Sequence, residues 1–324
     1  MNTIDSALIL KVLGLPGVGN KKALQIINNI LIGNHKYLSD DELYEFVCNF
    51  FKKTLFENAE DKKNWLIKNE KIIIDSDKKN ISMVNFFDEI YPKNLKKIDN
   101  PPLVLHYLGN ISSLINKPNI AIIGTREPTD YGFRAGKRLA LRFAQNNINI
   151  VSGLAIGCDT AGHLGALEAC GTTTAVLAHG LQTIYPKENR GLADKILENE
   201  GLLISEYAYG TKALRNFFVE RDRLQAGLSD ATLVIETGIK GGSIHTIEYT
   251  LKYKRELLCL EHPDYLCAEN KIQGNKYYLS KNKAKAIGDK ESLEKIIKVL
   301  NSNVKENIFI NKDKESSQLS FLDD

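Results

Sequence analysis

The chain has 324 residues, 43% of them hydrophobic, and 43 Lys and Arg against 40 Asp and Glu give a formal charge of +3. That length buries a full α/β core with room for one or two small accessory modules, while so small a net charge excludes an overall attraction to polyanions and makes any basic surface local. The five cysteines form no CxxC pair, and neither a signal peptide nor a run of about eighteen apolar residues is present, so a soluble cytoplasmic protein without structural zinc is expected.

Residues 1–68 alternate apolar and polar positions at helical spacing and predict a small helical module. Within LGLPGVGNKK, Pro16, Gly17 and Gly19 force a tight turn between two helices. The second, Lys21 to Ile30, offers its first amides to an anion, as a helix-hairpin-helix does to duplex phosphate; a plain αα-hairpin fits equally well, and both readings stay open. A phosphate-binding P-loop is excluded, because Asn20 stands in place of its lysine and no strand precedes it.

Residues 69–286 are expected to form a Rossmann-like domain. Its lead-in, Lys71 to Leu108, carries short strands at KIIID and LVLHYLG around the extended prolines Pro92, Pro101 and Pro102. Strands follow near 120–124, 148–152, 173–178, 202–206, 231–236 and 256–260, with helices between them. That alternation predicts an α/β fold with a doubly wound, mostly parallel sheet. Residues 287–324 hold a short amphipathic helix, ESLEKIIKVL, and a polar tail expected to be disordered.

The strand ends carry the chemistry. Gly124, Thr125 and Arg126 follow the first main strand and bring amides, a hydroxyl and a guanidinium to one phosphate, with Arg134 further along the same rim. After Gly124 the next glycine is Gly132, so the dinucleotide fingerprint is absent and no cofactor is expected. Ser152 and Gly153 end the second strand. Asp159 is placed as an N-cap with His163 one turn on, and cap plus packed histidine is preferred over a metal pair because no third ligand is spaced to join them. Lys187, Asn189 and Arg190 add donors after Tyr185-Pro186. Asn216 to Arg223 mixes aromatic and basic side chains ahead of the helical run LQAGLSD; Arg221 and Arg223 would grip a backbone, Phe218 would stack on a base, and one of Phe217 and Phe218 would join the core. Gly238, Gly241, Gly242 and Ser243 open a further helix as a second anion cradle.

Taken together, LPGVGNKKA, IAIIGTREPTDYG, SGLAIGCDTAGHLGALEA, YPKENRGLA, RDRLQAGLSDA and IETGIKGGSIHT resemble the DprA/Smf family of DNA-processing proteins over most of the chain. The resemblance implies a noncatalytic binder of single-stranded DNA that engages a RecA-type recombinase, as a homodimer with an extended Rossmann-like domain. It also implies a strand pocket lined by Gly124, Thr125, Arg126, Lys187, Asn189, Arg221, Arg223 and Ser243. Where the family has SGLARGID this chain has Ile156 and Cys158, and where it has FPRRNRIIAGLS this chain has Val219, Glu220, Asp222 and Gln225, so positive charge is lost at positions 156 and 220. The carboxyl-terminal winged helix found in many family members is expected to have no counterpart in the residues given after Ala286, and the tail Gln318 to Leu322 resembles a sliding-clamp-binding peptide. Two other readings remain: a nucleotide hydrolase using Glu248 in GGSIHTIE, and a nucleic-acid or nucleotide sensor in a defence or mobile-element system.

Overall fold

A computed structural model of the chain describes residues 4–33, 35 and 38–302; the tail peptide Gln318 to Leu322 lies outside them. The chain divides into two compact units. The first takes Met1–Leu108, Leu177–Thr183 and Ile204–Phe217, and the second Gly109–Val176, Ile184–Leu203 and Phe218–Asp324. The segments 177–183 and 204–217 therefore group with the amino-terminal residues, a division the linear sequence does not reveal.

The first unit opens with α1 (Ser6–Leu13), α2 (Asn20–Ile32), α3 (Asp40–Phe51) and α4 (Ala59–Asp77). Each start is specified locally. Asp5 accepts the Ala7 N–H, Ser39 and Glu42 form a capping box, and Asn58 accepts the Asp61 N–H. Gly17 takes φ +72° in the turn between α1 and α2, where a side chain would be strained. Ile9, Val12, Ile26, Ile27, Ile30, Val47 and Trp65 close the core of this bundle. The strand expected at KIIID is instead the last turns of α4. No glycine or proline interrupts residues 59–77, Trp65, Asn69 and Ser76 make its buried face, and Ile74 stays 53% exposed, so the isoleucine run follows helical rather than strand spacing. An antiparallel pair, β1 (Ser82–Asn85) and β2 (Val104–Gly109), follows, with the short α5 (Lys93–Lys96) between them.

The remaining elements alternate as α6 (Ser112–Ile115), β3 (Asn119–Ile123), α7 (Asp130–Gln145), β4 (Asn149–Ser152), α8 (Cys158–Glu168), β5 (Thr173–Leu177), α9 (Arg190–Glu198), β6 (Leu202–Ser205), α10 (Arg215–Leu228), β7 (Ala231–Val234), α11 (Ile244–Lys252), β8 (Glu256–Leu260), α12 (Gln273–Ser280) and β9 (Lys285–Ile287). A closing helix covers residues 290–302. All six expected main strands are present, and among the described residues nine strands make one mostly parallel sheet. Within the second unit the order runs β5-β4-β3-β7-β8-β9, every pair parallel. Chain order runs outward in one direction from β3 and in the other from β7. The topological switch point, where an open α/β sheet leaves a crevice beyond its strand ends, therefore lies between these two strands.

Alternation along β3 feeds two cores. Ile120 and Ile122 pack with Phe143 and the Leu293, Ile296, Ile297 and Leu300 stripe of the closing helix, while Ala121 and Ile123 pack with Ile247, Leu257 and Tyr278 on the other face. With both faces covered, β3 is buried throughout, which is why it reads as an unbroken apolar run.

Candidate nucleic-acid interface

At the switch point a cavity of about 600 Å³ opens beyond the ends of β3 and β7. Ile123, Gly124, Thr125 and Arg126 form one wall, and Thr237, Gly238, Gly241, Gly242 and Ser243 face them from the other strand. α10 supplies the floor. The Phe/Arg segment, expected just ahead of a helix, is itself helical, so Phe218, Arg221, Asp222 and Gln225 fall at i, i+3, i+4 and i+7 on one face that lines the cavity. Arg126, Arg221 and Ser243, drawn from three separate segments, thus share one site.

The loop after β3 is held from β7. The carbonyl of Glu236 accepts the Thr125 N–H at 2.7 Å. Its fully buried carboxylate accepts the Thr129 N–H at 2.8 Å and the Thr129 hydroxyl at 2.6 Å. Thr129 in turn caps α7 by accepting the Gly132 N–H at 3.0 Å, and a Cβ on Gly132 would run into the Glu236 carboxylate. His262 lies 3.5 Å from the same carboxylate. Burial pushes the Glu236 pKa up, yet the bonds from His262 and Thr129 together hold it below the ordinary carboxylate value.

Arg221 is 6% exposed and is braced rather than free. One guanidinium nitrogen donates to the Val176 carbonyl at 2.6 Å, and Nε lies 3.3 Å from the Asp222 carboxylate. The guanidinium occupies the space that a Cβ on Gly153 would take, so Gly153 serves the strand-end pocket by making room for Arg221. Asp159 accepts the N–H groups of Gly153 at 3.0 Å and Ala155 at 3.2 Å. It braces the loop from within, and Gly157, at φ +84°, takes the cap position that the sequence assigned to Asp159. Burial pushes Asp222 up to about 6, opposed by the Arg221 charge and reinforced by Asp159. His163 is a packed histidine, its Nδ1 2.7 Å from the Thr173 hydroxyl, and burial drives it down to about 3.

Other expected site residues lie elsewhere or face inward. The Ser152 hydroxyl donates to the Ile122 carbonyl at 2.6 Å, and the Asn189 amide donates to the Leu154 carbonyl at 2.8 Å and the Thr160 hydroxyl at 3.0 Å; both residues are buried and spend their donors on the scaffold. Lys187 and Arg190 are exposed but do not line the cavity, nor does Arg223. Arg134 lies on α7 in a separate groove. Phe217 stacks on Tyr207 at 4.3 Å, whereas Phe218 tilts against Tyr185 at 5.4 Å; both are half-buried, so neither is pure core. Two of the altered family positions, Ile156 and Val219, are 43% and 39% exposed. Glu248 is exposed on α11 outside the cavity lining.

The sequence reading missed His245, Thr246, Asn270 and Lys271, which also line the cavity. Lys271 arrives on the irregular segment between β8 and α12, whose path is set by Asn275. That side chain donates to the Val234, Ile235 and Leu260 carbonyls and accepts the Thr237 N–H, and only its polarity inside an amphipathic helix hinted at such a role.

Comparison with known proteins gives the site its context. Residues 82–301 match the family profile described as DNA recombination-mediator protein A. The chain is 30% identical to Protein Smf of Borreliella burgdorferi over 71% of each chain. It is 41% identical to Protein Smf of Synechocystis over 55% of this chain, and 36% identical to the DNA processing protein DprA of Streptococcus pneumoniae over 54% of it. The aligned part spans 45% and 61% of those two relatives. Among solved structures, DprA of Streptococcus pneumoniae superposes with a TM-score of 0.72 at 24% identity, covering 90% of this chain and 98% of that one. A Helicobacter pylori DNA processing protein A, described for its single-stranded DNA binding mode, superposes at 0.60 with 28% identity, covering 69% and 96%.

Proposed function

The chain belongs to the DNA recombination-mediator protein A family, and from that premise we propose that it binds single-stranded DNA without cutting it. The switch-point cavity receives phosphate and base together. The observation that carries this reading is the convergence of Arg126, the Gly241-Gly242-Ser243 turn ahead of α11 and the Phe218 face on one opening. A guanidinium beside the backbone of the glycine turn favours phosphate, and an aromatic face accepts any base, so contact is sequence-tolerant. A noncatalytic role is supported by the way both cavity carboxylates are engaged: Asp159 on backbone amides, Asp222 against Arg221. Delivery of the strand to a RecA-type recombinase, by a homodimer, follows from the family resemblance and belongs to the same proposal.

Fluorescence anisotropy with oligonucleotides of unrelated sequence tests it. Arg126 is exposed, so Arg126→Ala leaves the fold intact and is expected to weaken every strand by about tenfold, in line with removal of one charge-assisted hydrogen bond worth about 1.5–3 kcal/mol. Unchanged affinity would remove the cavity from consideration. Release of free base from nucleoside monophosphates would favour the hydrolase reading instead.

A further inference from the structure

A second cavity, about 840 Å³, lies in the second unit along α7, closed on its far side by the β9 end and the start of the closing helix. Arg134, Arg138 and Arg142 line it at i, i+4 and i+8, with Lys290 also in the wall. Four helical residues rise about 6 Å, so the three guanidinium groups form a ladder about 12 Å long. Two of the acids that line or border the groove, Glu294 and Asp289, are already engaged. Glu294 pairs with Arg142 at 2.7 Å, and Asp289 accepts the Ser292 N–H at 2.8 Å and its hydroxyl at 2.7 Å. The Glu261 carboxylate lies against Gly288. Arg134 and Arg138 are exposed and, among the described residues, have no carboxylate within ion-pair distance.

We infer that this groove is a second track for the sugar-phosphate backbone of the strand held in the switch-point cavity. Guanidinium forks meet phosphate oxygens bidentately, and a ladder of constant rise suits a ligand with one charge per regular repeat better than a peptide with scattered acids. The placement gives continuity. The cavity borders the ends of β3 and β7 and the groove those of β8 and β9, and β7 and β8 are neighbours, about 4.8 Å apart. Tyr131, in the groove wall, sits 5.9 Å from the His262 ring that pairs with Glu236 at the cavity's edge. The inference rests on the strand-binding reading above.

The two are separated by strand length. Binding is measured at about 0.15 M salt, where charges more than roughly 8 Å apart are largely screened. Strands of about 6 and about 30 nucleotides bracket the reach of a single pocket. Arg138→Glu, which alters the middle rung and no cavity residue, should leave the short strand unchanged and weaken the long one about tenfold. The long strand's salt slope should become shallower by roughly 0.7 for each phosphate that the groove no longer neutralises. Arg138→Lys should retain most of the long-strand affinity. Equal long-strand binding by wild type and Arg138→Glu overturns the track while leaving the cavity standing, and wild-type protein that binds neither strand overturns both. If poly-glutamate binds wild type but not Arg138→Glu while long-strand affinity is unmoved, the ladder holds an acidic protein and the proposal fails.

Discussion

Asp222 is the residue at which this chain's chemistry departs most from a plain phosphate cradle. It faces Arg221, Asp159 and His245 in the cavity, and its burial puts its titration near 6. Because the folded-state value is raised, the carboxyl holds its proton below about 6 and is charged above that. As pH falls through that value the cavity loses one negative charge and its attraction for phosphate grows. We predict that strand affinity rises severalfold between about pH 7.5 and pH 5.5, and that Asp222→Asn binds at the higher level throughout, since one shifted pKa unit corresponds to about 1.4 kcal/mol. A parallel pH profile for the two proteins would show that Asp222 does not sense the ligand. Arg221 illustrates the limit of reading such residues from sequence. Its basic character just after two aromatics was legible, but its burial between Val176, Asp222 and Gly153 depends on segments up to 68 residues away. Removing it would uncover two acids as well as a donor, so its loss cannot report on ligand binding alone.

At the scale of elements, those meeting at the site are joined by one side chain. Glu236, at the end of β7, fixes the loop after β3, the first turn of α7 and the segment after β8. Its depressed pKa means that its contribution is present above the ordinary glutamate value of 4.5 and is lost as pH falls below it. Glu236→Gln keeps the shape but replaces one accepting oxygen with a donor beside the Thr129 N–H and hydroxyl. The expected cost is about 1–3 kcal/mol in thermal or denaturant unfolding at pH 7, shrinking toward pH 4, together with weaker strand binding as the Arg126 loop loosens. A variant as stable as wild type across that range would show that the loop holds itself. Strand ends of this kind were legible because fully buried parallel strands read as apolar runs closed by glycine or a hydroxyl. The KIIID segment misled for the converse reason: three β-branched residues look like a strand until the Trp65, Asn69 and Ser76 spacing on the same helix is weighed.

For the whole molecule, the sequence shows a charge of +3, and the structure places two groups of basic side chains in separate cavities. The parallel sheet was readable from strand periodicity, and Gly124, Thr125, Arg126, Arg221 and Ser243 were named together through the family resemblance, whereas the switch point depends on the pairing of β3 with β7 and was not readable. The division of basic residues between the cavity and the α7 groove was not readable either, because Arg126 and Arg134 are eight positions apart in sequence while a helix start turns one toward β7 and the other toward β9. That partition bears on salt dependence. Inside the cavity Arg221 is offset by Asp222 and Asp159, and among the described residues Arg126 and Lys271 line it without a carboxylate in ion-pair distance, so a short strand should release few counterions. With about 0.7 ion per neutralised phosphate on a single strand, the slope of log affinity against log salt should be near −1.5 for a strand filling the cavity alone, and steeper for one that also reaches Arg134 and Arg138. Titration from low to high salt with both lengths measures the two slopes directly. A short-strand slope as steep as that of a many-phosphate binder would mean that cations outside the cavity already act on the shortest ligand.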